Sequence, residues 1–357
     1  IIGANYPSKF LSWLFGLGQE KLESWFLACK FPQFVSSLSI NGVYQTVTWI
    51  ISVMLPPMAI FFPLFTLLED LGVLPRIAFN LDNFFRKAGT CGKQALTMCM
   101  GFGCNAAGVI GCRIMRSTRE RLIAIVTNCF VPCNGRFPLL ITIATIFFAG
   151  MFNGIAGSFV STLIVLGVIL LGIVLSLLVS KILSCTLLKG ESSGFILELP
   201  PYRKPQIGSI LVRSVLDRTL FVLGRAICSA IPAGIVIWIL ANVQVDGTSM
   251  ISYIAYFFDP LAKIMGLDGY ILTAFIFGIP ANEIVLPILL MMYMKSGCLV
   301  DISDSFRIGE ILIENGWTVL TAINVMIFTL LHFPCMTTLL TIKKETKSSK
   351  WVWISFL

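Results

Sequence analysis

The stretch Thr46–Leu68 carries no charged residue, and it is long enough to cross the core of a lipid bilayer, for which about 20 residues suffice. In lipid, such a stretch satisfies its backbone groups only by closing them on itself as a helix. Long apolar runs recur, some of them holding a single charge, in Leu122–Met151, Ile155–Val179, Phe221–Ala241, Tyr270–Met294 and Val319–Ile342. A hydrophobic content of 57% and a mean hydropathy of +0.89 are far too apolar for a soluble chain of 357 residues. The runs predict an all-α, polytopic transmembrane protein with membrane lipid as its main surroundings.

The net charge of +8 matters through its placement. Basic residues crowd Arg113–Arg121, Lys181–Arg218 and Lys343–Lys350, which the positive-inside rule puts in the cytoplasm. Because these clusters flank apolar runs, they are not a nucleic-acid surface, and no nucleic-acid partner is expected. The chain opens at Ile1 without methionine and stops within the apolar run Trp351–Leu357, so both ends are expected to be cuts in a longer protein.

Two parts of the chain share one pattern. Gly89-Thr-Cys-Gly92 leads through an apolar stretch to Gly103-Cys104-Asn105, and Gly266-Leu-Asp-Gly269 leads likewise to Pro280-Ala281-Asn282. The distance from first glycine to asparagine is 16 in both (105 − 89 and 282 − 266), and Arg86 and Lys263 each stand three residues before the glycine. Prolines precede both patterns (Pro56 and Pro57; Pro232), and proline–cysteine pairs follow them (Pro132-Cys133; Pro334-Cys335). A duplication is expected, with gate-type repeats at 46–180 and 221–345. A basic cytoplasmic connection, 181–220, joins them. An amphipathic juxtamembrane segment, 1–45, precedes them, and 346–357 begins a truncated C-terminal segment.

The glycines and prolines at Gly101–Asn105 and Gly278–Glu283 predict broken or re-entrant helices. Irregular backbone at membrane depth survives only where protein or a wet cavity satisfies it. Breaks at matching positions of two repeats point to a transporter's binding site. The first break is expected to be re-entrant, because Arg86, Lys87 and Lys93 precede it and Arg113–Arg121 follow. In the second half, both basic flanks are cytoplasmic only if Tyr270–Met294 is re-entrant or Ile251–Phe258 also crosses.

A divalent cation entering a membrane needs replacements for its water, and thiolate, carboxylate, amide oxygen and imidazole all suit a metal such as Fe(II). The candidates at the breaks are Cys104, Asn105, Asn282 and Glu283, joined by Cys133 and Cys335. Glu283 is the sharpest, since a carboxylate inside an apolar run is costly in lipid. The blander readings are a charge partner for Glu283, backbone ties for the asparagines and small buried hydrophobes for the thiols. Glu69 and Asp70, with Arg76 close behind, suit either a cation-collecting entrance or a surface ion pair. Arg136 is expected to hold a carboxylate or broken-helix carbonyls, and the lone His332 stands beside Phe333-Pro334-Cys335. Eleven cysteines without a CxxC pair exclude zinc ribbons and thioredoxin-type redox motifs. Ala88–Gln94 imitates a phosphate loop but has Lys87 where the first glycine is needed and no Ser/Thr after Lys93. No enzymatic motif or resident cofactor is expected.

These residues carry a resemblance. Leu67–Phe79, Gly101-Phe-Gly-Cys-Asn-Ala-Ala107, Val131-Pro-Cys-Asn-Gly-Arg-Phe-Pro138 and Phe333-Pro-Cys335 with Ile342–Thr346 resemble the membrane domain of the ferrous iron transport protein B family (FeoB), over roughly 51–353. The resemblance implies two gate domains and Fe(II) uptake across a bacterial plasma membrane. It also implies Cys104 and Cys133 as pore or gate cysteines and Glu283 as the acidic residue of the second gate. GTP and Mg are then expected only on a GTP-binding domain upstream of Ile1, along with a small cytoplasmic accessory protein. The pore lies within one chain or on the axis of a homo-oligomer. Ala107 stands where the family usually has proline, and Asn282 where it often has lysine. The alternatives are a nucleoside or other polar solute carrier, against which the cysteines at the breaks count, and a membrane receptor or scaffold, against which Glu283 counts.

Overall fold

A computed structural model describes residues 2–30, 32–151, 155–189, 208, 219–245, 247–300, 302 and 304–356. These residues are almost wholly helical. In chain order the helices are α1 (Ile2–Ala28), α2 (Gln33–Ser37), α3 (Gln45–Asp70), α4 (Val73–Lys87), α5 (Lys93–Gly103), α6 (Asn105–Gly111), α7 (Thr118–Thr127), α8 (Phe137–Phe147) and α9 (Ile155–Cys185). They continue as α10 (Phe221–Asn242), α11 (Met250–Ile264), α12 (Gly269–Phe277), α13 (Val285–Met294), α14 (Ser305–Glu314), α15 (Val319–Leu331), α16 (Met336–Thr346) and α17 (Ser349–Phe356). A two-stranded antiparallel hairpin, β1 (Gln244–Val245) and β2 (Thr248–Ser249), follows α10.

Among the described residues, four helical stretches are long and apolar enough to cross a membrane: Gln33–Asp70, Ala156–Cys185, Val222–Asn242 and Val319–Thr346. A fifth arises if α11 and α12, bent by 109° at their junction, count as one. The chain is thus an all-α, multi-pass membrane protein. Two expected runs are not single helices. Leu122–Met151 is interrupted after α7 by a 3₁₀ turn at Asn128–Phe130 and by extended backbone at Val131 (φ −78°, ψ 122°) before α8 begins. Pro132 forces this, because it lacks an N–H and drives the residue before it out of the helical region. Tyr270–Met294 breaks between α12 and the 3₁₀ turn Asn282–Ile284, with Pro280 in the gap. Most of the expected connection, 190–207 and 209–218, lies outside the described residues.

The chain forms two units. One holds Ile1–Pro56, Arg136–Leu166 and Gly224–Thr329, and the other holds Pro57–Gly135, Gly167–Leu223 and Leu330–Leu357. Each contains one broken hairpin, but the remaining helices are traded: α8 belongs with the later hairpin, and α16 and α17 with the earlier one. In the earlier-hairpin unit, Phe65, Leu74, Ala78 and Leu96 form one apolar group, and Phe85, Ala95, Met98 and Val131 another. In the later-hairpin unit, Phe147 stacks on Trp317 at 5.9 Å, and Phe275 meets Phe328 edge-on at 4.8 Å.

The hairpins repeat each other at an offset of 177 (266 − 89). Gly89 (φ +78°) and Gly266 (φ +69°) both end the lead-in helix in the left-handed region that glycine adopts without strain. The capping bonds match: Thr90 N donates to Phe85 O at 3.2 Å, and Leu267 N to Ala262 O at 3.0 Å. One buttress also recurs that the glycine spacing alone does not disclose. Asp82 accepts from Gly92 N at 2.7 Å and pairs with Arg86 at 3.0 Å, while Asp259 accepts from Gly269 N at 3.2 Å and pairs with Lys263 at 2.6 Å. The shared motif is therefore Asp-x3-(Arg/Lys)-x2-Gly-x2-Gly. The proline–cysteine pairs do not share the register, being offset by 202 (334 − 132), and both lie in the earlier-hairpin unit.

Each aspartate satisfies the amide at the start of a hairpin helix, so Asp82→Ala is expected to cost about 1–3 kcal/mol. The side chain of Asp259 is more exposed than that of Asp82 (30% against 13%), so Asp259→Ala costs less. Thermal unfolding in detergent reads both. Unchanged midpoints in the two variants would remove the buttress from the account.

Candidate functional site

The first break is built around Cys104. α5 stops at Gly103, Cys104 is extended (φ −157°, ψ 126°), and α6 starts at Asn105. Gly103 lies against the ring of Phe61, where a Cβ would collide with it. Ala281, 177 positions on, has the same conformation (φ −155°, ψ 122°) and precedes Asn282 just as Cys104 precedes Asn105. The two breaks are thus one backbone device used twice.

Asn105 is buried and works on the backbone. With its amide nitrogen turned toward them, it donates to Val131 O at 3.1 Å and to Gly101 O at 3.2 Å. Asn128, which sequence reasoning missed, donates from Nδ2 to Asn105 O at 3.0 Å. It fills a slot left by two glycines, since a Cβ at Gly101 or Gly108 would stand 2.6 Å from its amide atoms. Two glycines seven residues apart, across a break and on one face, were the available signal. Asn128 Oδ1 is buried and has no hydrogen-bond partner among the described residues. A buried amide oxygen without a partner costs free energy.

The earlier-hairpin unit brings three candidate thiols into one neighbourhood. Cys104, at the break, lies within electrostatic range of both Cys133 and Cys335. Cys133 follows the extended segment after α7. Cys335 caps α16, with its sulfur 3.3 Å from Thr338 Oγ1. Cys104 and Cys133 are buried and Cys335 half-buried, and none of the eleven cysteines is in a disulfide. His332 is buried beside Phe333. Among the described residues, no three His, Cys, Asp or Glu side chains are arranged to hold a metal ion. The thiols converge without forming a finished metal centre.

The later-hairpin unit holds Asn282, Glu283 and Arg136, all buried. Glu283 sits in the 3₁₀ turn just past the break, and no ion pair to it occurs among the described residues. Arg136 stands at the start of α8 and is 1% exposed. Asp268, another residue that sequence reasoning passed over, caps α12 through Ile271 N at 2.6 Å and accepts from Tyr293 Oη at 2.6 Å. Tyr293 in turn accepts from Trp317 Nε1 at 2.9 Å. This chain of bonds ties the helices on either side of the second break. The expected entrance group belongs to the earlier-hairpin unit. Glu69 is half-buried and Asp70 exposed at the end of α3, and Arg76 donates to Gly72 O at 3.2 Å.

Known proteins and family models resemble this chain over most of its length. The family model described as "Nucleoside recognition" (Gate) matches residues 51–147 and 223–349, and the model described as "Ferrous iron transport protein B C terminus" matches residues 165–217. The chain is 31% identical over 326 residues to the Fe(2+) transporter FeoB of Staphylococcus aureus (strain COL), covering 89% of this chain and 46% of that protein. It is 28% identical over 363 residues to the Fe(2+) transporter FeoB of Methanocaldococcus jannaschii, covering 98% and 50%. It is also 28% identical over 369 residues to a protein of Porphyromonas gingivalis named "Fe(2+) transport protein A/Fe(2+) transporter FeoB fusion protein", covering 90% and 42%. The chain thus spans about half the length of the curated relatives it matches. No solved structure matches it.

Proposed function

This chain belongs to the ferrous iron transport protein B family, whose membrane region it carries, and we propose that it conducts Fe(II) across the plasma membrane along its two broken hairpins. The observation that carries the reading is the convergence of Cys104, Cys133 and Cys335 at the first break, from three segments far apart in sequence. Thiolates suit soft and borderline divalent metals, whereas a solute carrier would be expected to offer hydroxyls, amides and aromatic faces. Along the path, the thiols and the Asn128 oxygen replace water at the first break, and the Glu283 carboxylate balances charge at the second. Asn105 holds the break through the bonds that its nitrogen donates to two backbone carbonyls. An incomplete ligand set suits conduction, since a closed tetrahedral site would retain the ion.

Two further elements of the proposal rest on the relatives. Their greater length leaves room for an upstream GTP-binding domain controlling the path. The fusion relative's name supports a small accessory protein as a partner. The Gate description favours one rival cargo, a nucleoside. The full-length protein in liposomes, supplied with GTP and Mg, separates the two. Fe(II) entering while uridine does not is the expected result. Uridine exchange without metal entry would replace the iron reading with the solute one.

A further inference from the structure

Helix α1 carries a band of bare apolar side chains. Phe10, Trp13, Leu14, Leu17 and Trp25 are 40–61% exposed, and their helical spacing sets them on one side. A second side is half-buried and holds Leu11, Phe15, Gly18 and Leu22. There Tyr44 Oη donates to Phe15 O at 2.9 Å, and a Cβ at Gly18 would meet the same hydroxyl. The third side is polar and exposed, with Lys9, Glu20 and Glu23, the last accepting from Gln19 Nε2 at 3.2 Å.

This helix is not a crossing one. It holds Lys9, Glu20, Lys21 and Glu23, and it is not among the described stretches long and apolar enough to span a bilayer. Its attachment sets its depth. Phe15 and Gly18, near the middle of α1, meet Tyr44, which stands two residues before the uncharged run Thr46–Leu68 that fills the bilayer core. A crossing helix has its middle at mid-bilayer, whereas the middle of α1 is held at the edge. That leaves about 15–20 Å of helix on either side of the attachment, at ~1.5 Å per residue.

We propose that α1 lies flat in the lipid–water interface, with the band from Phe10 to Trp25 set among the phospholipids and Lys9, Glu20 and Glu23 in water. One apolar side and one polar side on a helix of low overall hydrophobicity are what an interfacial position requires. The two tryptophans suit it, because an indole offers an apolar body to the acyl chains and an N–H to the headgroups. A second copy of the chain fits the band less well. Five side chains of one helix fall short of the roughly 20–30 residues a side of a stable interface. Lys21, moreover, is exposed on the same side as the band, and a protein partner would have to bury it. At a lipid surface its stem lies on the acyl chains while its amine reaches the phosphates. The inference is independent of the cargo.

The test is photo-crosslinking of the full-length protein in vesicles of phosphatidylcholine and phosphatidylglycerol. Three variants each carry one photoreactive residue: Trp13→benzoylphenylalanine, Leu17→benzoylphenylalanine and Glu23→benzoylphenylalanine. Mass spectrometry of the α1 peptide reads what has been captured. Phospholipid adducts from positions 13 and 17, roughly tenfold more abundant than from position 23, are the expected result. Leu14→benzoylphenylalanine takes the place of the position 13 variant should that protein fail to fold. Equal lipid adducts from all three positions would overturn the proposal, since they describe a helix surrounded by lipid rather than one lying at its edge. Capture of a second copy from positions 13 and 17, or no lipid adduct from either, would overturn it as well.

Discussion

Gly269→Val and Gly92→Val are each expected to leave little folded protein. Both glycines stand at the start of a hairpin helix, where it touches the backbone of the helix leading into it. A Cβ at Gly92 would overlap the Ala78 carbonyl oxygen and stand 2.9 Å from the Asp82 Cα. At Gly269 it would overlap the Ala255 carbonyl oxygen and stand 3.0 Å from the Asp259 Cα. Backbone cannot swing aside as a side chain can, so the helices must separate and the aspartate buttress is lost with them. Overpacking typically costs about 1–3 kcal/mol, and the upper end or beyond is expected where backbone is the obstacle. Against a total stability of about 5–15 kcal/mol, that is a large share. Detergent-solubilised yield and unfolding midpoints measure it, with Gly150→Val as control, since nothing lies within 4 Å of a Cβ there. Equal losses at Gly150 and Gly92 would show that the close approach is not what matters.

Glu283→Ala is expected to cut Fe(II) flux by roughly 100-fold, the scale on which ligand and supporting groups act at metal sites. The same change should leave thermal stability level or raise it. A buried carboxylate without a described ion-pair partner is a burden on the fold, and replacing such a group by an apolar one is often neutral or stabilising. The combination of a sturdier protein and a slower path is the signature of a group kept for function. Glu283→Asp should retain part of the flux. If Glu283→Ala instead destabilised the protein while each folded molecule carried iron at the normal rate, Glu283 would be a structural residue.

Much of this architecture is legible in the chain because lipid imposes a simple rule. Thr46–Leu68, Ile155–Val179 and Phe221–Ala241 all lie within single helices, since an apolar run of that length in lipid has no other way to satisfy its backbone. The breaks at Cys104 and Ala281 follow from glycine and proline at fixed spacing. Hydropathy fails where it averages across a break, as in Leu122–Met151, where Pro132 outweighs the apolar residues around it. The proline–cysteine pairs mislead in another way. A shared dipeptide suggests equivalence, yet the 177-residue register excludes it, and the fold instead gathers both pairs into one unit. Asn128 is illegible in the sequence because its meaning lies in Asn105, 23 residues away.

The central claim is that the thiols gathered at the first break touch the moving ion. Fe(II) flux into liposomes tests it most directly when two triple variants of the full-length protein are compared. One carries Cys104→Ser, Cys133→Ser and Cys335→Ser; the other changes the exposed Cys29, Cys185 and Cys228 to serine. The account predicts that flux collapses in the first and persists in the second, both proteins being folded. Flux that survives in the first variant, or falls equally in both, would contradict it.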